Sequence, residues 1–101
     1  MRAHQLKCWP RHFQAVFDGR KPFELRINDR DFQIGDTLIL DEWQPAANYD
    51  ETKNGFYTGR QVTCTVTYIL NCDESSPEFV PDGWIIMGLK KQYQAYNNEQ
   101  R

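Results

Sequence analysis

Four ionisable side chains fall within the eight-residue segment GRKPFELR, residues 19–26: Arg20, Lys21, Glu24 and Arg26. Arginine presents a planar fork of N–H donors and lysine a compact positive charge, so both can bind a phosphate group or a carbonyl oxygen. A glutamate beside them can accept hydrogen bonds from the edge of a base, or it can orient the two cations. The segment therefore carries the chemistry that recognition of a polar ligand requires.

A purely structural interpretation of the same segment competes with this one. Phe23, Leu25 and Ile27 alternate with Glu24 and Arg26, which predicts a strand with an apolar face toward the core and a charged face away from it. Charged edge strands are a common protection against aggregation, and their exposed ion pairs add little stability. The pattern alone favours neither interpretation.

A helix is predicted immediately before this strand, over residues 10–18. Pro10 suits the first turn of a helix, where its missing N–H has no intrahelical partner to lose. From Phe13 onward, apolar residues recur at i, i+3 and i+4 and form a stripe, and Gly19 is the usual left-handed residue that follows a helix end.

Alternating or apolar segments predict strands over residues 4–9, 23–27, 37–43, 58–70 and 83–90. Polar loops are predicted at 44–56 and 71–82, and we expect the polar tail, 91–101, to fray. A small sheet that curls to close its edges, with a helix over one opening, buries these segments best. We therefore predict one α+β domain over residues 1–101: a small β-barrel of five or six mostly antiparallel strands, with one main helix near the N-terminus.

The charge distribution is uneven although the net charge is only −2. Residues 1–30 hold seven Lys and Arg against three Asp and Glu, whereas residues 31–101 hold five against eleven. A basic first third is compatible with an anionic ligand, with Lys7 and Arg30 adding to Arg20, Lys21 and Arg26. Mutual neutralisation of the two parts across the fold explains the asymmetry equally well.

The sequence offers weak grounds for other kinds of site. His4 and His12 flank Cys8, but a strand-to-helix junction would not aim all three side chains at one metal ion, so we predict no metal site and no cofactor. Ser75 and Ser76 have no nearby histidine, which makes a serine nucleophile improbable. Three cysteines without a CxxC pair indicate reduced, buried thiols. The absence of a long apolar run or signal peptide predicts a cytoplasmic protein with no membrane partner.

The segment GRKPFELR resembles the GxKxxExR signature of the ASCH domain family, whose fold is a PUA-like β-barrel. More narrowly, residues 4–43, together with YTGRQVTCTVTYIL and WIIMGLK, resemble the DUF3850 branch, which is found in bacteria and their phages. The resemblance covers nearly the whole chain apart from the loops and the last ten residues.

This resemblance implies an RNA or nucleotide ligand, bound in a cleft beside the barrel and lined by Lys21, Glu24 and Arg26. Some ASCH relatives are enzymes, among them an amidohydrolase acting on acetylated cytidine and reported ribonucleases. The amidohydrolase is similar to this chain at Lys21 but carries threonine in place of Glu24. It also needs a further glutamate, for which only Glu74 is a loose candidate.

Three aromatic residues near predicted strand ends, Trp9, Trp43 and Tyr57, could stack on a base. For each of them, packing in the core or at the barrel mouth is the competing interpretation. Two functional hypotheses follow from the sequence: a module that binds RNA, a nucleotide or a nucleoside, or a small hydrolase with Lys21 as nucleophile or general base and Glu24 as proton shuttle. A purely structural role as an interaction partner is the third. The sequence does not indicate an oligomeric state.

Overall fold

A computed structural model describes residues 1–47, 54–72 and 81–92, and these form five strands and one short helix. The helix and every strand coincide with a predicted segment, but β3 and β4 both extend into the predicted loop at 44–56. In chain order the elements are β1 Ala3–Cys8, α1 Pro10–Phe17, β2 Phe23–Ile27, β3 Thr37–Pro45, β4 Gly55–Asn71 and β5 Trp84–Lys91.

The five strands form one sheet in the order β1-β3-β4-β5-β2. The β1–β3 pair is parallel and the other three pairs are antiparallel, so the prediction of a mostly antiparallel sheet is confirmed. Register shifts interrupt the ladder between Asp41 and Trp43 and between Val66 and Tyr68. Such bulges increase local twist, and the sheet is a half-barrel whose two edges are β1 and β2.

The core lies inside the curve of the sheet and is closed by the apolar stripe of α1. Phe13 and Val16 of the helix are buried there against inward-facing side chains such as Leu38 and Leu40. Cys8, Cys64 and Cys72 are all buried, as predicted, and none of the three forms a disulfide.

Strand β2 is oriented opposite to the prediction. Phe23, Leu25 and Ile27 are 43%, 44% and 53% exposed, whereas Glu24 is only 5% exposed. The reason is the pairing with β5, in which Glu24 and Arg26 stand opposite the buried residues Met87 and Ile85. Directly paired residues point to the same face of a sheet, so the charged side of β2 faces the interior of the half-barrel.

Arginine side chains connect the two edges of the sheet, where β1 and β2 do not pair. Arg26 Nη2 donates a 2.7 Å hydrogen bond to the carbonyl oxygen of Lys7, and Arg30 Nη1 donates one of 3.1 Å to that of Gln5. We refer to this junction as the seam. Guanidinium groups bridge it in place of a ladder of backbone hydrogen bonds.

A buried polar pair fixes the start of β1 against the turn before β3. The imidazole of His4 donates from Nε2 to Asp36 Oδ2 at 2.8 Å, and both side chains are buried. The same carboxylate accepts from the backbone N–H groups of Arg2 and Gln33. Burial raises the pKa of Asp36, but these hydrogen bonds, that of His4 first, outweigh it and lower the pKa to about 2.

Within residues 1–47, 54–72 and 81–92, no helix is long and apolar enough to cross a bilayer. The same residues contain no group of three or more His, Cys, Asp or Glu side chains placed to hold a metal ion. Several sequence predictions concern residues outside these ranges: Glu74, the Ser75–Ser76 pair, the middle of the loop at 44–56, most of the loop at 71–82, and the tail from residue 93.

Candidate functional site

A cleft of about 830 Å³ lies along the seam, between the edges of β1 and β2. This volume is within the usual range of small-molecule sites. Trp9, Trp84 and the outward side chains of β2 supply apolar walls. Among the residues that the structure describes, the charged side chains lining the cleft are four cations and two carboxylates: Lys7, Lys21, Arg26, Arg30, Glu24 and Asp29.

Glu24 lies at the centre of the charged groups, and each of its carboxylate oxygens has a cationic partner. Lys21 Nζ lies 3.2 Å from Oε1, and Arg26 Nε donates to Oε2 at 2.7 Å. The Glu24 side chain is buried, while Lys21 and Arg26 are partly exposed. Because a carboxylate oxygen has two lone pairs, each oxygen can accept one further hydrogen bond from a ligand.

The turn between α1 and β2 places Lys21 beside this carboxylate. Gly19 adopts a left-handed conformation, with φ of 84°, which lets the chain reverse at the helix end. The backbone N–H of Lys21 then donates to the carbonyl oxygen of Ala15, and the Pro22 carbonyl accepts from Leu89. The signature is therefore anchored to the helix on one side and to β5 on the other.

The edge of β2 also contributes backbone groups to the cleft. The backbone N–H of Leu89 donates to the carbonyl oxygen of Pro22, and that of Asn28 donates to the carbonyl oxygen of Gly83. Pro22 and Asn28, which flank β2, are therefore hydrogen-bonded to Leu89 and Gly83. Because antiparallel pairs alternate with a period of two, the N–H and C=O groups of Phe23 and Leu25 point away from β5. Among the described strands, β2 pairs only with β5, so these groups face the cleft.

Cys8 lines the cleft but is not a nucleophile near neutral pH. Burial is the main cause that raises the pKa of its thiol, and the negative charge of Glu24 raises it further, to about 11. The nearby cations Lys21 and Arg26 act in the opposite direction with a smaller effect. A thiolate is the reactive form of cysteine, and this thiol is protonated.

The aromatic candidates occupy three different environments. Trp9 is exposed and lines the cleft. Trp43 is buried, with its ring 6.3 Å from that of Trp9 and the ammonium of Lys7 4.2 Å from its centroid. Tyr57 is exposed and lies in a separate depression beside Arg60. Of these three, Trp9 is the one placed to contact a ligand in the cleft.

The structure brings together Lys7, Trp9, Lys21, Glu24 and Arg26 of the sequence-predicted site. Arg20 is not among the lining residues, and its exposed guanidinium instead lies 3.0 Å from the carboxylate of Asp18.

Three further residues line the cleft without having been predicted as part of the site: His12, Asp29 and Trp84. Asp29 follows the signature strand closely, which is a signal that could have indicated it. Trp84 reaches the cleft only because β5 pairs with β2 and places it opposite Ile27, and no local pattern reveals that pairing.

Comparison with known proteins identifies the family. The family model described as "Domain of unknown function (DUF3850)" matches residues 3–89. The chain is also 32% identical over 77 residues to an "Uncharacterized 12.9 kDa protein in GpA 3'region" of Escherichia phage P2. That alignment covers 76% of this chain and 62% of the phage protein, so the chain spans under two thirds of its relative. On the strength of the family match, the chain belongs to the DUF3850 family.

Proposed function

We propose that this domain binds RNA or a nucleotide, and that the base enters the cleft along the seam. The single observation that carries the proposal is the buried Glu24 carboxylate, held between Lys21 and Arg26 in a cleft with apolar walls. We also propose that the half-barrel belongs to the PUA-like type of the ASCH domains, as the GxKxxExR resemblance implies.

The chemistry of the lining groups matches the parts of a nucleotide. A base is a flat ring with N–H donors and carbonyl acceptors on its edge, and single-stranded RNA is commonly read through such edges and by stacking on aromatic side chains. Trp9 offers the stacking surface, and the carboxylate of Glu24 offers acceptors for amino and imino groups. The backbone groups of Phe23 and Leu25 add donors and acceptors at the edge of β2.

The cations that line the cleft match the phosphate group of a nucleotide. Lys7 and Arg30 line the same cleft outside the Lys21–Glu24–Arg26 group. Cations outnumber carboxylates among the described residues of the cleft, although the whole chain has a net charge of −2. Local excess of positive charge of this kind attracts anionic ligands and makes their binding dependent on salt.

A matched pair of neighbouring variants tests the proposal. Lys21→Gln removes a cation that lines the cleft, whereas Arg20→Gln removes one directly beside it that does not. The measurement is a calorimetric titration with short single-stranded RNAs and with nucleoside monophosphates. We expect the dissociation constant of Lys21→Gln to be about tenfold or more higher than that of the wild type, because a charge-assisted contact is lost. Arg20→Gln is expected to bind like the wild type. Equal weakening by both variants, or no binding by the wild type, would contradict the proposal.

Hydrolysis of a modified nucleoside or of RNA is the second candidate, because one observation favours it. Lys21 Nζ and Glu24 Oε1 lie 3.2 Å apart in the cleft, which is within reach for proton transfer between an acid and a base. Lys21 would act as nucleophile or general base and Glu24 as proton shuttle. The assay for this candidate is release of free base, acetate or cleaved RNA by the wild-type protein.

A further inference from the structure

The outer face of the half-sheet made by β2, β5 and β4 is apolar across all three strands. In the register of the sheet, Phe23 stands beside Gly88 and Gly88 beside Tyr68, while Leu25 stands beside Ile86 and Ile86 beside Leu70. Ile27 pairs with Trp84 in the next row. We name six residues of this surface the outer apolar face: Phe23, Leu25, Ile27, Tyr68, Leu70 and Ile86.

Five of these six side chains, all except Ile86, are between 43% and 62% exposed. At roughly 200 Å² for a large side chain, their exposed area is on the order of 500 Å², which is near the upper end for the largest apolar patch of a monomer. Each partner in a standard protein–protein interface buries about 800 Å². The outer apolar face with a polar rim around it is therefore large enough to form the centre of a dimer interface.

In the described part of the chain, exposed charged residues lie at the two ends of this surface and differ in sign. Lys90 is exposed on β5, two residues beyond Gly88, at the end that carries Phe23 and Tyr68. Asp82 and Asp29 are exposed at the opposite end, two residues before Trp84 and two after Ile27. No charged residue belongs to the outer apolar face itself.

We propose that the outer apolar face is a self-association surface on which a second copy of this chain stacks with its strands antiparallel. A two-fold axis in the plane of the interface and perpendicular to the strands gives this arrangement, and the same patch then faces itself on both copies. Lys90 of each copy meets the acidic end of the other, so the favourable contact forms twice. The parallel alternative would place like charges together, which is destabilising.

The outer apolar face also borders the cleft, because three of its residues line the cleft as well: Phe23, Leu25 and Ile27. A second copy would therefore form part of the surroundings of the cleft mouth. Tyr68 and Leu70 do not line the cleft, so the interface can be altered without changing the ligand site. The dimer does not depend on what the cleft binds.

Sedimentation equilibrium from micromolar to near-millimolar protein tests self-association. For the wild type we expect a concentration-dependent rise to twice the chain mass of 12.0 kDa. Tyr68→Ala is expected to weaken dimerisation about tenfold or more, as truncation of a large aromatic side chain in an interface can do. Phe56→Ala is the matched control, since Phe56 is also an aromatic residue on β4, is 60% exposed against 62% for Tyr68, and lies outside the outer apolar face.

A charge swap tests the antiparallel orientation with exposed residues that do not contribute to folding of the core. Lys90→Glu alone is expected to weaken the dimer severalfold, and adding Asp82→Lys is expected to restore it, because the exchanged charges again face opposite partners. A monomeric wild type at every concentration would overturn the proposal, as would equal weakening by Tyr68→Ala and Phe56→Ala. Failure of the double variant to recover would overturn the orientation.

Discussion

Arg26 donates a hydrogen bond of 2.7 Å from Nη2 to the carbonyl oxygen of Lys7, across the seam between β2 and β1. Through Nε, the same guanidinium bonds to the buried carboxylate of Glu24 at 2.7 Å. The Arg26 side chain thus bridges the seam, as Arg30 also does, and orients the central acceptor of the candidate site. The stability of the fold and the geometry of the site are consequently coupled at Arg26.

Arg26→Lys is expected to destabilise the protein although it conserves the charge. An ammonium is a single point donor and cannot reproduce the two-sided geometry of the guanidinium fork. Loss of one charge-assisted hydrogen bond predicts a decrease of about 1–3 kcal/mol in the free energy of unfolding, measured by urea denaturation. Arg20→Lys is the control, since Arg20 is exposed and pairs only with Asp18 among its described contacts, and it should change stability little. An unchanged midpoint for Arg26→Lys would show that the seam does not depend on the fork.

Glu24→Gln tests whether the buried carboxylate is needed to neutralise its two cations. The substitution keeps the shape of the side chain but leaves Lys21 and Arg26 beside a neutral amide in a partly buried environment. Removing one member of such a group predicts a loss of roughly 1–3 kcal/mol in unfolding free energy. Asp18→Asn breaks an exposed pair with Arg20 and should cost less than about 1 kcal/mol. Equal effects of the two variants would mean that burial of Glu24 carries no special energetic weight.

The wrong prediction of which side of β2 faces the core shows how far the sequence alone could predict this fold. Period-two alternation correctly identified the strand and correctly grouped Phe23 with Leu25 and Glu24 with Arg26. It cannot decide which group faces inward, because that depends on the register with β5, a pairing between segments some sixty residues apart in the sequence. Burial of Glu24 was unexpected for the same reason, since only the pairing with β5 turns the charged side of β2 toward the interior.

The candidate site was predictable where it is local in sequence and unpredictable where it depends on tertiary structure. Lys21, Glu24 and Arg26 fall within one short motif, and the turn at Gly19 together with the alternation of β2 brings them together. Trp43 and Tyr57 could not be placed by the same reasoning: Trp43 is buried behind Lys7, and Tyr57 lies in a separate depression beside Arg60. Strand ends are numerous in a small barrel, and proximity to one of them does not define a common cleft.

The Asp36–His4 pair predicts a specific dependence of stability on pH. The pKa of Asp36 in the folded protein is about 2, below its ordinary value of 3.8. Its contribution to stability is therefore fully present above about pH 4 and is lost as the pH falls through about 2. Urea denaturation of the wild type and of Asp36→Asn should differ by roughly 2 kcal/mol at neutral pH, and the difference should shrink between pH 4 and pH 2. If wild type and Asp36→Asn differed in unfolding free energy by the same amount at every pH, the charge of Asp36 would play no part. The control is Asp29→Asn, at an exposed position, whose unfolding free energy should stay close to that of the wild type.

Lys21→Arg separates binding from catalysis at the cleft. An arginine in this position keeps the positive charge, so a site that only binds should retain affinity within about tenfold, the difference reflecting the altered shape of the donor group. A guanidinium does not lose its proton in proteins and cannot serve as nucleophile or general base, so a hydrolase that depends on Lys21 should lose turnover completely. Affinity for nucleotides and short RNA, measured by calorimetry, and turnover, measured as release of base, acetate or cleaved RNA, are both obtained from the same preparation.

Turnover by the wild type that disappears in Lys21→Arg while affinity is retained would establish the hydrolase and overturn the simple binding module. Absence of wild-type turnover, combined with affinity that survives Lys21→Arg but falls in Lys21→Gln, would establish that the cation at this position acts through its charge alone.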